Sequence, residues 1–417
     1  MSMISNFVDR LLPTDRLGVV DHAGKLSVYG GGSGEPKVIL RMHDRKVLFD
    51  LVRNPRLMIG EAYMDGRLSF DQGSMLELVE VVIGNSRFED GGHRGTLKKG
   101  VMGKFRARFR RNDATSSRKN VAHHYDLDDK LYELFLDADR NYSCAYFTDP
   151  GNSLEQAQRD KQAHIAAKLD LKPGQRVLDI GCGWGAMALA MHRLAGVEVL
   201  GVTLSTEQLA VARRRAQDAG VSDKVRFELM DYRAVKGRFD RIVSIGMFEH
   251  VGAAHYPEFF ETCRNLMTQD GVMLLHTIGK YGSATAPDPF TDKWIFPGYH
   301  VPSLSQMQAA SEPLRLMTTD VETLRVHYAY TLKAWLKNCE AKRDEIVALY
   351  DERFYRMWEF YLAGGAAAFE FGAMNNFQVQ YVRDRNALPL TRDYIAAVEA
   401  RYRRILDTHA HGPGYAA

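Results

Sequence analysis

Arg176 to Gly185 reads RVLDIGCGWG, and its residue types at this spacing suit the holding of a nucleoside. Val177 and Leu178 read as a buried strand with Asp179 at its end. Gly181, Gly183 and Gly185 then turn the chain into an apolar helix through Met187, Leu189 and Met191. Glycine is wanted where backbone turns sharply or approaches a ligand, because a Cβ would clash there. The helix aims its free N–H groups and the positive end of its dipole at whatever occupies the turn. The spacing is G-x-G-x-G rather than G-x-G-x-x-G, and no Gly-Lys-Ser/Thr follows, which disfavours a pyrophosphate cradle. An acid ahead of such a turn suits adenosine with an amino-acid tail. The plain alternative is an ordinary tight strand-to-helix turn.

The elements around this turn repeat regularly. A helix over Gln156–Leu169 leads into the first strand. Strands are expected over Glu198–Leu204, Val225–Met230, Phe239–Gly246 and Gly271–Ile278, with helices over Thr206–Gly220 and Tyr256–Met267 between them. Strands apolar on both faces and separated by helices predict a parallel sheet covered on both sides. Ligands of such sheets sit at the carboxyl ends of the strands. Asp179, Thr203, Asp231, Gly246 to Glu249 and His276 to Ile278 all fall on that rim. Upstream, residues 123 to 147 begin as an amphipathic helix and end in an aromatic loop around Cys144. His123 and His124 are adjacent and cannot both serve one metal from a helix.

Outside this region the chain is less explicit. In the first 90 residues, Val38–Leu40 and Lys46–Leu51 read as strands, and Ile59–Met64 and Met75–Ile83 as short helices, in a small α/β accessory domain. Between Arg94 and Lys119 ten basic residues, Lys98, Lys99, Arg106, Arg108, Arg110 and Arg111 among them, face the single acid Asp113. This run reads as a solvated linker or as a surface for anionic lipid headgroups, each basic residue then contributing about 1 kcal/mol. Residues 279–312 are expected to form a long loop, and loops of that length are usually functional. Residues 331–362 read as a helical cap and Arg392–Leu406 as a last helix. The four cysteines form no C-x-x-C pair and the net charge is only +3, so a disulfide scaffold, structural zinc and a global polycation are all disfavoured. No segment approaches the ~18 apolar residues of a membrane span.

YSCAYF, LDIGCGWG, GVTLSTEQ, RIVSIGMFEHVG, LLHTIG, IFPGYHVPS and HYAYTLKAW occur in that order. Together they resemble the cyclopropane-fatty-acyl-phospholipid synthases, kin to the mycolic acid cyclopropane synthases, over roughly residues 120–385. The resemblance implies an α/β fold: a seven-stranded-type, Rossmann-like methyltransferase domain over 121–410 with a helical cap at about 280–385. An accessory domain for lipid binding or dimerisation would span 1–95, joined by a basic linker at 96–120. It implies S-adenosyl-L-methionine held by Tyr142, Ser143, Asp179, Gly181, Gly183, Trp184, Gly185, Thr203, Leu204, Gln208, Asp231 and Tyr232. It further implies a bicarbonate base bound by Cys144, Glu249, His276, Tyr328 and the backbone of Ile278. Some members carry a cysteine in the late helix where this chain has Gly365, so no covalent route through that position is expected.

The implied reaction is transfer of a methylene across the cis double bond of unsaturated acyl chains in membrane phospholipids. Its carbocation would be shielded by aromatic faces, with Tyr142, Tyr146, Phe147 and Phe248 as candidates. The resemblance also implies a cytoplasmic homodimer, peripheral on the inner membrane surface, with no nucleic-acid partner. Rival readings are a methyl- or methylene-branching enzyme, a small-molecule or nucleic-acid methyltransferase, and a non-catalytic lipid-binding module. The lack of an N-P-P-Y motif speaks against DNA, and intact Glu249, His276 and Cys144 against the module.

Overall fold

A computed structural model describes residues 9, 11–91, 128–282 and 285–409. The basic run, His123, His124 and the expected boundaries at 95–96 and 120–121 lie outside them. The described residues form two compact units, one of residues up to 91 with 286–297 and 329–374, the other of 128–285, 298–328 and 375–409.

The first unit contains a four-stranded sheet of β1 (Leu17–Val20), β2 (Leu26–Tyr29), β3 (Val38–Met42) and β4 (Leu68–Gln72), in the order β2-β1-β3-β4. The expected helices are present as Pro55–Met64 and Met75–Gly84. Lys46–Leu51, expected as a strand, is instead the helix Lys46–Arg53. Asp44 explains the difference, because its carboxylate accepts from the backbone N–H of Lys46 and Val47 at 2.7 and 3.1 Å and starts the first turn. The expected cap helices are His327–Ala341, Arg343–Leu349 and Glu352–Glu370, and from Ala329 onwards they belong to this unit. The helix Glu352–Glu370 packs on both early helices, and Tyr63 donates to Glu359 at 2.6 Å.

The second unit holds a seven-stranded sheet. Its strands are β5 (Arg176–Ile180), β6 (Glu198–Thr203), β7 (Val225–Leu229), β8 (Phe239–Ile245), β9 (Met267–Lys280), β10 (Met317–Thr323) and β11 (Met374–Val382), in the order β10-β11-β9-β8-β5-β6-β7. β9, β8, β5, β6 and β7 run parallel, as the alternating pattern predicts, and β10 pairs antiparallel with β11. One face is covered by helices Leu154–Lys168, Ala186–Ala195, Thr206–Asp218 and Asp393–His409, through Ile165, Met191, Leu209 and Tyr402. The other is covered by Tyr256–Leu266 and Leu304–Ser311, through Phe259, Phe260 and Met307. Residues 279–312 are not one long loop, because they include the helices Pro289–Trp294 and Leu304–Ser311. The second begins with a reciprocal Ser303–Gln306 capping box.

Candidate active site

The glycine turn lies at the carboxyl end of β5, with its first two N–H groups on Val202 O at 2.9 and 3.1 Å. Its three glycines serve different ends, although all have positive φ. A Cβ on Gly181 would come within 2.9 Å of Met247, and one on Gly185 within 2.7 Å of Phe227. At Gly183 nothing lies within 4 Å, so its Cα faces open space. That is the residue over which a ligand has room. Trp184 is buried and donates to Asp129 at 3.2 Å. Its ring meets Tyr132 at 4.9 Å, and Tyr132 meets Tyr142 edge-on at 5.4 Å, so an aromatic cluster seats Tyr142.

At the end of β6, Thr203 donates to Gln208 at 3.0 Å and accepts from Ser205 N–H, with Leu204 half-buried between them. Asp231 follows β7. Its carboxylate is tied to Arg233 at 2.7 and 2.8 Å, and Tyr232 packs edge-on against Phe259. Asp179 is fully buried with Oδ2 unpartnered. Burial pushes its carboxyl up to about 7, opposed by the positive charge of Lys161. A buried carboxylate with an open oxygen beside an open glycine turn suits a cationic amino-acid tail.

The expected acid–base residues come partly together. Glu249 follows β8, buried, and one of its oxygens accepts from Ile278 N–H at 2.5 Å. Its Oε2 has no hydrogen-bond partner, and burial pushes its carboxyl up to about 7. Gly246 N–H donates to His276 O at 2.9 Å, and the space beside Gly246 is bounded by Tyr142 and Ser143. Tyr142 and Ser143 therefore lie beside the end of β8. Cys144, the next residue, is buried. Phe147 N–H donates to Nδ1 of His327 at 3.0 Å, and Tyr328 follows His327 in the helix His327–Ala341.

His276 is engaged more deeply than expected. Its two ring nitrogens face the side-chain amides of Asn376 and Gln378 at 3.0 and 3.1 Å, and burial holds it neutral. Both contacts are through amide nitrogens. A neutral imidazole offers one N–H and one lone pair, so only one of them is a hydrogen bond as placed, and the other becomes one when its amide is turned to present oxygen. His276 would donate to an anion only by exchanging one of them.

Two of the four aromatic candidates are otherwise occupied. Phe248 is a core residue stacked on Tyr256 at 4.2 Å. Tyr146 stacks on His164 at 4.1 Å and on His327 at 5.1 Å. Tyr142 and Phe147 remain candidates for a substrate wall.

The motif reading missed Gln158 and Lys161, both buried in the helix Leu154–Lys168. Gln158 donates to the carbonyls of Asn141 and Ser143 at 3.3 and 3.1 Å. Lys161 donates to Asn141 Oδ1 and Ser143 Oγ at 3.0 and 2.9 Å. The sequence carried no signal for them: the helix is polar (Gln158, Asp160, Lys161, Gln162, His164, Lys168) and reads as a surface helix, and only the structure shows it buried on nearly every side.

Residues 112–379 match the family model described as mycolic acid cyclopropane synthetase, and residues 15–88 match a domain of unknown function. A probable fatty acid methyltransferase of Pseudomonas putida is 35% identical over 371 residues, 86% of this chain and 91% of that one. The cyclopropane-fatty-acyl-phospholipid synthase of Escherichia coli K12 is 42% identical over 270 residues, 64% of this chain and 69% of its own. The crystal structure of mycolic acid cyclopropane synthase CmaA1 complexed with SAH and CTAB superposes with a TM-score of 0.60 at 35% identity, covering 63% of this chain and 97% of that one.

Proposed function

The chain belongs to the mycolic acid cyclopropane synthetase family and is an S-adenosylmethionine-dependent methyltransferase; from that premise we propose that it forms cyclopropane rings on unsaturated acyl chains of membrane phospholipids. S-Adenosylmethionine supplies an electrophilic methyl, and bicarbonate supplies the base. An isolated alkene is a weak nucleophile, and attack on a sulfonium methyl leaves a cation on the neighbouring carbon. Tyr142 and Phe147 are the residues that can face this cation and exclude water. The observation that carries the reading is Glu249. Its carboxylate is buried and pinned by Ile278 N–H, and its second oxygen is free to accept from a bicarbonate hydroxyl. Cys144 and Tyr328 are proposed as further anion ligands; a hydrogen bond from Phe147 N–H to Nδ1 of His327 joins the neighbours of these two residues in the chain. Asp179, the open turn at Gly183 and the Thr203–Gln208 pair hold the cofactor end.

The anion is tested by rate against bicarbonate, titrated back into degassed buffer. General-base catalysis contributes about 10²–10⁴-fold. Tyr328→Phe and Glu249→Gln should therefore lose rate on that order and keep their affinity for S-adenosylhomocysteine. Unchanged turnover in both variants and in depleted buffer would place the base elsewhere. A second reading, methyl or methylene branching, is favoured by the P. putida relative, which matches over most of both chains and is named for fatty acid methylation. The two readings differ only in how the cation is discharged.

Access to lipid is proposed through the first unit. On the helix Lys46–Arg53, Phe49 and Val52 are 70% and 67% exposed, beside exposed Lys46 and Arg53. The acids that could repel a headgroup, Asp44 and Asp50, are paired with Arg67. No helix among the described residues is long and apolar enough to cross a membrane. A peripheral, electrostatically assisted contact is the mode that fits. Phe49→Glu with Val52→Glu should abolish sedimentation with anionic vesicles. Neutralising Lys98, Lys99, Arg106, Arg108, Arg110 and Arg111 should weaken it and flatten its salt dependence. Salt-independent sedimentation, untouched by either set, would remove both surfaces from the account.

A further inference from the structure

The aromatic loop after Cys144 is held by two imidazoles that the proposed reaction does not use. Tyr146 lies between them: its ring stacks on His164 at 4.1 Å and on His327 at 5.1 Å, with interplanar angles of 6° and 1°. His164 is fixed in turn, because its two ring nitrogens meet Glu399 and Glu322 at 2.8 and 2.6 Å. The backbone N–H of Tyr146 donates to Ala157 O at 3.0 Å. The next N–H, that of Phe147, donates to Nδ1 of His327 at 3.0 Å. His327 therefore holds two successive residues, one by its ring face and one by a ring nitrogen.

A donor at Nδ1 also fixes the tautomer. Nδ1 must carry the lone pair, so the proton of the neutral ring sits on Nε2. Burial favours that neutral form. The backbone that delivers the ring is strained. Arg325 has φ +45°, a left-handed conformation uncommon for a residue with a long side chain. The turn around it is closed by His327 N–H on Leu324 O at 3.0 Å, and Leu324 N–H donates to Asn376 O of β11 at 2.8 Å. His327 is thus anchored to the sheet on one side and to the aromatic loop on the other.

We infer that His327 is a positioning residue: its ring face and Nδ1 hold Tyr146 and Phe147, and so set the substrate wall against Tyr328, the next residue in the chain. This rests on the proposed reaction, in which Phe147 faces the cation and Tyr328 the anion.

Two substitutions at this position separate the hydrogen bond from the ring. His327→Phe keeps a flat ring against Tyr146 but removes the acceptor of Phe147 N–H. His327→Asn loses the ring and can present its amide oxygen where Nδ1 stands. Residue-resolved amide hydrogen exchange reads the bond. Transfer of labelled methyl from S-adenosylmethionine to vesicles of unsaturated phospholipid reads the role. The Phe147 amide should exchange slowly in the unaltered protein, fast in His327→Phe and slowly again in His327→Asn. Turnover should fall about tenfold to a hundredfold in His327→Phe, the scale of a small misplacement near the reacting atoms. Affinity for S-adenosylhomocysteine should stay unchanged, and His327→Asn should regain most of the turnover. A residue that merely packs would give the reverse order, since phenylalanine fills the space better than asparagine. Turnover in His327→Phe equal to that of the unaltered protein, or above that of His327→Asn, therefore overturns the role. Loss of S-adenosylhomocysteine affinity along with turnover overturns it too, because the effect is then on the fold. Fast exchange at Phe147 in the unaltered protein overturns the inference without any variant. Slow exchange there, with no methyl transfer by the unaltered protein, overturns the proposed reaction and the role that rests on it, and leaves the bond.

Discussion

Gly183 has φ +53° with open space where a Cβ would stand, whereas Gly181 and Gly185 are hemmed in by Met247 and Phe227. Gly183→Val should therefore abolish binding of S-adenosylhomocysteine while costing stability only the left-handed penalty of about 1–2 kcal/mol. Calorimetry and urea unfolding of the same preparation separate the two effects; retained affinity would empty the proposed cofactor space. Glu249 shows the reverse combination. Burial raises its carboxyl to about 7 from 4.5, so the folded protein holds that proton more tightly than the unfolded chain. Its ionisation destabilises the fold progressively from about pH 4.5 to 7. Glu249→Gln should thus stabilise the ligand-free protein by about 1–3 kcal/mol at pH 8 and hardly at all at pH 4. The same variant should lose turnover. A fall in stability at pH 8 would show that the carboxylate is not held at a cost for function. At this scale the sequence was informative about position, since Asp179, Gly183 and Glu249 lie at the carboxyl ends of strands as the motifs predict. It was silent on what His276 touches, because Asn376 and Gln378 lie a hundred residues away and meet it only across the sheet.

The helix Leu154–Lys168 is the element that organises the site, and its own footing is a polar network. His164 lies between Glu322 and Glu399 at 2.6 and 2.8 Å, and Lys168 pairs with Glu322 and Asp320. Burial pushes Glu322 up, but the hydrogen bond from His164 and the charge of Lys168 outweigh it and hold the carboxyl well below its usual range. Burial pushes His164 down, yet its bonds to Glu322 and Glu399 leave it raised. The Glu322 contribution is present above about pH 4.5 and lost in acid. The His164 contribution is present below about pH 6.5 and lost as pH rises past its folded value. Glu322→Gln should accordingly cost about 3 kcal/mol near pH 6, the loss expected when one partner of a buried pair is removed. The deficit should shrink toward pH 4. Denaturant midpoints of both proteins at the two pH values decide it, and a deficit unchanged with pH would mean that packing rather than charge is lost. The five parallel strands were legible because each is a short apolar run between helices. β10 and β11 were not, since MTTDVET is polar and MNNFQVQYV alternates buried amides with apolar residues. Amides in strand interiors make sense only once Lys168, His276 and Tyr394 supply their partners. Lys46–Arg53 misled for a simpler reason: its apolar residues fit both periods, and the cap at Asp44 decided for a helix.

Over the whole molecule, the unit built on the seven-stranded sheet carries Asp179, Gly183 and Glu249, and the other unit carries the exposed Phe49 and Val52. The central claim is that the cation made on the acyl chain is discharged by loss of a proton from the newly delivered methyl, with ring closure. One measurement addresses that directly. The protein is incubated with S-adenosylmethionine deuterated throughout its methyl and with vesicles of an unsaturated phospholipid. The recovered acyl chain is then examined by mass and by NMR. The account predicts a chain that keeps two of the three deuterons on a cyclopropane carbon, with no vinylic signal. Retention of all three on a methyl branch, or two on an exocyclic alkene, would contradict it and establish the branching reaction instead.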